Sequence, residues 1–418
     1  MSSNQILAHP CFIFVEPSLE RETTMVSLER ETALQSLLYI GLSLSLVIGV
    51  LSFTMATSSF HPPLFLGLVH CLRVVVVVVL TMVHGRCGGI VRPKAPAVIV
   101  FGDSTVDPGN NNQISTVLKS NFEPYGRDMK GGATGRFSNG RIPTDFISED
   151  LGIKPLVPAY LDPKMSIRDF TTGVSFASAG TGLDNATSNV LSVIPLWKEL
   201  EYFKEYKTRL RAYAGPRKAN TIIHEAVYII SIGTNDFLEN YYLIPQRSSR
   251  FTVKEYQVFL AKLAVNFVKE LYSLGARKIS FGGLPPMGCL PLERTTNAMS
   301  GSRCVEQYNQ VARDYNTLLT REVVALNCQL PGIKLVFSNP YDVMMGVIET
   351  PSKYGFDDVS VACCSIGLIE IGYTCNRWSP FTCQNADKYA FWDAFHPTEK
   401  LNRIITDYVM KNFLSRIV

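Results

Sequence analysis

The chain has 418 residues, of which 46% are hydrophobic and 18% are charged, a composition typical of a globular protein with a large apolar core. Its 40 basic and 36 acidic residues leave a formal net charge of only +4. This small and dispersed excess of positive charge does not indicate nucleic-acid binding.

The N-terminal extension, residues 1–94, contains two long apolar segments and no recognisable chemistry. Residues 34–53 carry no charge, and residues 62–84 include six consecutive valines together with Arg73. Either segment is long enough to span a membrane. If translation begins at Met55, the second segment also fits the hydrophobic part of a signal peptide. We predict a signal peptide and secretion, with a membrane anchor as the alternative.

Residues 95–418 are predicted to form one domain in which short apolar runs alternate with helical patterns. The runs are near-continuous, as expected of parallel strands covered on both faces, and comprise residues 97–101, 173–177, 227–232, 278–281 and 333–337. The clearest helices are predicted over residues 253–274, which Gly275 ends, and residues 304–330. This alternation predicts a doubly wound parallel sheet, whose ligands bind at the carboxyl ends of the strands.

Four polar motifs in this domain contain the groups that ester hydrolysis requires. They are Phe-Gly-Asp-Ser at 101–104, Phe-Ala-Ser-Ala-Gly at 176–180, Gly-Thr-Asn-Asp at 233–236 and Asp-Ala-Phe-His-Pro at 393–397. Ser104, Gly180 and Asn235 each follow the carboxyl end of a predicted strand. The topology therefore predicts that these three residues meet at one edge of the sheet.

Ser104 is the candidate nucleophile, and a serine hydroxyl needs a base to accept its proton. His396 is the candidate base, because the other histidine after residue 84, His224, precedes a strand. Asp393, three residues before His396, can orient the imidazole and stabilise its protonated form. A turn or helix cap is the alternative explanation for each of these residues taken alone.

Preorganised hydrogen-bond donors are also needed for the oxyanion that forms during ester cleavage. The candidates are the backbone N–H groups of Ser104 and Gly180 and the side-chain amide of Asn235. Asn235 has an alternative role as a turn residue that satisfies its own backbone. Asp236 is predicted to be structural and to accept hydrogen bonds from loop amides.

The ten cysteines favour disulfides and an oxidising compartment. Seven lie after residue 94, and four of them form a cluster: Cys363, Cys364, Cys375 and Cys383. Adjacent cysteines do not match the ligand spacing of zinc sites. The odd count of seven predicts one unpaired thiol, which we assign to Cys328. Asn185 begins an Asn-Ala-Thr sequon and is a candidate glycosylation site.

This ordered series resembles the plant branch of the GDSL lipase/esterases, within the SGNH hydrolases. The matching segments are 101–104 with Asp107, 109–112, 135–141, 232–236, 283–289, 363–364, 391–393 and 396–399. The resemblance implies a flavodoxin-like, three-layer α/β/α sandwich with a five-stranded parallel sheet and no cofactor or metal. It also implies Ser104 as nucleophile, His396 as base oriented by Asp393, and an oxyanion hole made by Ser104, Gly180 and Asn235. Thr105 stands where the family name has leucine.

We therefore predict a monomeric serine ester hydrolase, secreted to the cell wall, that cleaves acyl or acetyl esters, lipids among them, through an acyl-enzyme. Its partner is a small-molecule or lipid ester, with membrane contact only if the N-terminal segments are retained. One alternative is an acyltransferase that uses the same site. The other is a non-catalytic wall-associated binding protein, for which a degenerate triad would be the expected sign; here all three residues are present.

Overall fold

The structure is a computed structural model that describes residues 93–297 and 303–418. The predicted signal or anchor segments of the N-terminal extension lie outside these described residues. Residues Arg92–Val418 form one compact unit. Within the two described ranges, no helix combines the length and the apolar character that a membrane span requires.

A five-stranded, wholly parallel sheet lies at the centre of this unit. Its strands are β1 (Val98–Gly102), β2 (Gly173–Ser175), β3 (Val227–Ser231), β4 (Lys278–Gly282) and β5 (Lys334–Ser338), in the spatial order β2-β1-β3-β4-β5. In register, Phe101 is paired with Ile230, and Ile230 with Phe281. The predicted sheet is confirmed, since all five apolar runs form strands whose ends lie within two residues of the predicted ones.

Helices cover both faces of the sheet. The long ones are α1 (Pro143–Asp150), α2 (Leu196–Ala214), α3 (Pro216–Glu225), α4 (Val253–Ser273), α5 (Glu306–Gln329), α6 (Tyr341–Glu349) and α7 (Glu399–Asn412). Helix α7 contacts α1 and α6, whereas α2 contacts α3 and α4 contacts α5. The fold is the predicted three-layer α/β/α sandwich.

Helix α4 illustrates how local sequence signals set the boundaries of an element. Thr252 caps its first turn, and Glu255 reaches back to the Thr252 backbone in a capping box. The helix stops before Gly275, whose φ of 111° is unfavourable for residues with a side chain. The capping box of Thr252 and Glu255 thus explains where α4 begins, and Gly275 explains where it ends.

The core on the α2/α4 face of the sheet is built around Phe101 of β1. Its ring centroid lies 5.5 Å from that of Phe203 in α2 and 5.4 Å from that of Phe267 in α4. All three side chains are buried. Loss of one such ring costs about 3–5 kcal/mol of folding free energy, so these contacts hold the strand that leads to Ser104.

A second, two-stranded parallel sheet was not predicted. It pairs β6 (Asp358–Ala362) with β7 (Tyr389–Phe391). β7 has three residues, and a segment of that length gives no periodic signal in the sequence. The small sheet brings the cysteine cluster next to the segment that carries Asp393 and His396.

Candidate active site

Ser104 lies in a sharp turn directly after β1. Gly102, the last residue of the strand, has a φ of 137°, and a Cβ there would lie 1.9 Å from the carbonyl oxygen of Ser231. Only glycine allows this close approach between the two strands. The Gly102 N–H donates to Oε2 of the buried Glu199 at 2.9 Å, and burial raises the pKa of Glu199 well above its ordinary value. The turn is therefore held by β3 on one side and α2 on the other.

Two neighbours of Ser104 stabilise this turn from within. Asp103 accepts hydrogen bonds from the backbone N–H and the hydroxyl of Thr105, at 3.0 and 2.7 Å. Burial raises the pKa of Asp103 to about 6, although these hydrogen bonds oppose the shift. Thr105 in turn shares a 2.8 Å hydrogen bond with the Ser231 hydroxyl.

The structure brings Ser104, His396 and Asp393 into one hydrogen-bonded chain. The Ser104 hydroxyl oxygen lies 2.8 Å from Nε2 of His396. Nδ1 of His396 lies 2.8 Å from each carboxylate oxygen of Asp393. All three side chains are buried. This is the order of contacts that activates a serine hydroxyl.

The loop 393–397 that carries the acid and the base has a geometry of its own. Oδ1 of Asp393 accepts from the backbone N–H groups of Phe395 and His396, at 2.9 and 2.7 Å. Thr398 then caps α7, its side chain accepting from the Leu401 N–H. The carboxylate thus closes the loop and binds the imidazole at the same time, which the three-residue spacing allows.

Tyr125 is a partner of Asp393 that the sequence analysis missed. Its hydroxyl donates to Oδ2 of Asp393 at 2.6 Å and accepts from the Gly372 N–H at 2.9 Å. Tyr125 is fully buried beside Phe137 and Trp392. No sequence motif marks this tyrosine, because it lies 268 positions from Asp393.

The segment 135–141 braces the same loop. The Phe137 ring lies 4.8 Å from that of His396, between centroids. The Ser138 hydroxyl donates to the Pro397 carbonyl at 3.1 Å, and Oδ1 of Asn139 accepts from the Glu399 N–H at 2.8 Å. It is one of the segments on which the family resemblance rests, and no role was predicted for it.

The two other candidate oxyanion donors, Gly180 and Asn235, are linked through Thr181. One amide N–H of Asn235 donates to the Thr181 carbonyl at 3.0 Å. Gly180 has a φ of 84°, and a Cβ there would lie 2.8 Å from Leu118. The first hydrogen bond orients the Asn235 side chain and leaves its second N–H for another acceptor.

Loop 177–181 is anchored to the turn that carries Ser104. The Ser178 N–H donates to the Gly102 carbonyl at 2.9 Å, and the Ala179 N–H donates to Oδ2 of Asp107 at 3.0 Å. Burial raises the pKa of Asp107 to about 6. These contacts hold Gly180 in a defined position relative to β1.

Asp236 bonds loop amides, as predicted. It accepts from the N–H groups of Leu183 and Asp184, at 2.8 and 3.0 Å, and from the hydroxyl of Thr187 at 2.6 Å. Burial raises its pKa to about 7. Asp236 is the first residue of a π-helix, Asp236–Leu243, and such helices are frequent beside functional sites.

His224, the competing base, lies apart from these groups. It occupies the last turn of α3, and its side chain is exposed and contacts Glu225. Asn185, the candidate glycosylation site, is exposed at the start of a short helix, Asn185–Val190, rather than in a loop.

The disulfides confirm one cysteine prediction and overturn another. The cluster pairs as Cys363–Cys383 and Cys364–Cys375, and a further bridge joins Cys289 to Cys304. The unpaired thiol assigned to Cys328 is wrong, because Cys328 is disulfide-bonded. The prediction rested only on the odd count of seven cysteines after residue 94, and such a count does not show how any one of them is paired.

Comparison with known proteins assigns the family. A model of the GDSL-like Lipase/Acylhydrolase family matches residues 98–409. The chain belongs to this family. The GDSL esterase/lipase At4g26790 of Arabidopsis thaliana is 64% identical over 324 residues, which cover 77% of this chain and 92% of the relative. The GDSL esterase/lipase At2g04570 of the same plant is 60% identical over 320 residues, with coverages of 76% and 91%.

Among solved structures, the lipase Lip_vut3 from a goat rumen metagenome covers 75% of this chain and 96% of its own. Its TM-score of 0.34 and identity of 13% are too low to carry an argument. Membership of the GDSL family rests on the family model and the Arabidopsis relatives, and it makes this protein a hydrolase of ester bonds.

Proposed function

We propose that this GDSL protein is a secreted serine ester hydrolase that acts through an acyl-enzyme. The Ser104 hydroxyl oxygen attacks the ester carbonyl carbon while Nε2 of His396 accepts its proton. Asp393 stabilises the resulting imidazolium. The N–H groups of Ser104 and Gly180 and the amide of Asn235 donate to the oxyanion.

In the steps that follow, His396 acts first as an acid and then again as a base. His396 returns its proton to the alcohol as the carbon–oxygen bond breaks, which leaves the acyl group on Ser104. A water molecule then attacks the acyl carbonyl carbon while His396 accepts its proton. The carboxylic acid leaves, and Ser104 recovers its proton from His396.

The observation that carries this proposal is the unbroken contact chain from Ser104 to Asp393, with 2.8 Å at each step. A helix-capping role for Ser104 would not require a buried imidazole at hydrogen-bond distance. The exposed position of His224 also argues against it as the base.

The test compares the full-length wild type with Ser104→Ala and His396→Gln, each produced through a secretory pathway. With p-nitrophenyl acetate and hexanoate, each variant is expected to lose at least about 10³-fold in kcat. His224→Gln is the matched control and should keep wild-type activity. Ser104→Ala with undiminished activity would exclude the mechanism.

Secretion is proposed on separate grounds. Disulfides are stable outside the reducing cytosol, and the exposed Asn185 is open to glycosylation. Glycosidase treatment should reduce the mass of the secreted wild type but not of Asn185→Gln. The same preparation, assayed with added alcohols, separates hydrolysis from acyl transfer, because transfer yields a new ester.

A further inference from the structure

A cavity of about 130 Å³ lies between the central sheet and helices α1, α6 and α7. Ser231 and Gly282 line it at the ends of their strands, and Ile147, Met344 and Ile405 line it from the helices. Protein cores contain few voids larger than a water molecule. An apolar cavity beside an active site is therefore a candidate site for a small apolar group of a ligand.

The cavity adjoins the backbone segments that carry the proposed nucleophile, oxyanion donor and base. Five of its lining residues are immediate sequence neighbours of Ser104, Asn235 or His396, namely Asp103, Thr105, Thr234, Phe395 and Pro397. The cavity therefore lies beside the reacting groups rather than at a remote part of the core.

Most of the hydroxyl groups in its wall have hydrogen-bond partners within the protein, including the Thr406 hydroxyl, which donates to the Asn402 carbonyl at 2.8 Å. Thr105 shares a hydrogen bond with Ser231 at 2.8 Å, and Ser280 shares one with Ser338 at 2.6 Å. Asp103, the carboxylate among the lining residues, is bound to Thr105. What remains for a ligand is mainly aliphatic and aromatic carbon, so the matching ligand group is uncharged and apolar.

We propose that this cavity binds the acyl chain of the ester substrate and selects short chains. This inference rests on the proposed function. The acyl group stays bonded to Ser104 through the covalent intermediate, whereas the alcohol must leave for solvent, so an apolar site lined by buried side chains suits the acyl side. A cavity of roughly 150 Å³ is known to hold benzene. By the same measure, the cavity in this protein has room for an acyl chain of about six carbons.

The test narrows the cavity in the full-length protein. Ile405→Phe adds volume inside it, whereas Ile404→Phe, the matched control on the same helix, changes a residue that does not line it. We expect the ratio of kcat/KM for p-nitrophenyl hexanoate to that for the acetate to fall roughly tenfold in Ile405→Phe only. An unchanged ratio in a folded Ile405→Phe protein overturns the proposal.

A binding measurement separates this proposal from the proposed function. Methyl hexanoate titrated into Ser104→Ala, followed by NMR, should bind saturably, and binding should be lost in Ser104→Ala/Ile405→Phe. Equal binding by both variants overturns the acyl site. A wild type that hydrolyses no ester, beside a Ser104→Ala protein that binds as expected, contradicts the hydrolase mechanism and leaves the site supported.

A second variant enlarges the cavity, so this experiment does not require the fold to accommodate a larger side chain. Met344 lines the cavity and is buried. Met344→Ala should therefore shift the preference from hexanoate towards octanoate. A folded Met344→Ala protein with the wild-type preference counts against the proposal.

Discussion

The hydroxyl of Tyr125 donates a hydrogen bond to Oδ2 of Asp393 at 2.6 Å. Burial, together with the charge of Asp393, raises the pKa of Tyr125 well above its ordinary value, so the hydroxyl keeps the proton that it donates. Hydrogen bonds to an ionised acceptor are shorter and stronger than neutral ones. The same hydroxyl accepts from the Gly372 N–H and so connects the carboxylate to the disulfide-bridged loop.

Tyr125→Phe removes this donor and keeps the ring. Loss of a hydrogen bond to a charged group costs about 1.5–3 kcal/mol, so kcat should fall roughly 10- to 100-fold with little change in KM. Steady-state kinetics across pH would measure both parameters. Tyr228→Phe is the matched control, since Tyr228 is also buried and donates only to the Ile223 carbonyl. Equal kcat in the two variants would contradict a role of Tyr125 in positioning Asp393.

Asn235→Ala tests the oxyanion hole. Removing one preorganised donor is expected to lower kcat about 10²- to 10³-fold while KM stays near the wild-type value. The variant also loses the hydrogen bond to the Thr181 carbonyl, so its free energy of unfolding should decrease by about 1 kcal/mol. Kinetics and thermal unfolding measure the two effects separately.

The matched control for Asn235 is Asn327→Ala. Asn327 likewise donates to a backbone carbonyl, that of Leu335, but lies on α5 away from the site. It should lose stability without losing turnover. Similar turnover in the two variants would rule out Asn235 as an oxyanion donor.

Removing the Cys364–Cys375 bridge should weaken both the fold and catalysis. The bridge spans 11 positions, and its loss in Cys364→Ser/Cys375→Ser should cost about 3 kcal/mol. Because Gly372 lies inside this loop, its contact with Tyr125 should loosen and kcat should fall. In a double-mutant cycle with Tyr125→Phe, the two effects on kcat should be far from additive. Full additivity would show that the loop acts on catalysis by another route.

Glu239 should make folding less favourable as pH rises. Burial, then the charges of Asp103 and Asp236, raises its pKa from 4.5 to about 8. Between these two pKa values the folded chain holds a proton that the unfolded chain has lost. The free energy of unfolding therefore decreases as pH rises from 4.5 to about 8, and it levels off at higher pH. Glu239→Gln does not titrate. It should match the wild type near pH 4 and be more stable by about 5 kcal/mol at pH 9.

Thermal unfolding of both proteins from pH 4 to pH 9 measures this difference. Oε2 of Glu239 has no hydrogen-bond partner among the described residues, so an amide at this position disturbs few contacts. Two parallel curves of melting temperature against pH would contradict the predicted titration of Glu239.

The regular elements were predictable because their signals are local. Near-continuous apolar runs identified the strands, and the caps at Thr252 and Gly275 explain why α4 begins and ends where it does. The small β6–β7 sheet was not predictable, since its short strands depend on pairing with each other. The pairing of Cys328 was misjudged because a count of cysteines does not show which of them lie close together in the fold.

The sequence alone determined the alternation of strands and helices, the direction of the sheet and the motifs that contain Ser104, Asp393 and His396. These follow from side-chain periodicity and spacing within a few residues. Tertiary structure decided which groups touch. Ser104 and His396 are 292 positions apart and Tyr125 and Asp393 are 268 apart. Contacts over such separations depend on how the whole chain packs, and no local pattern encodes that packing.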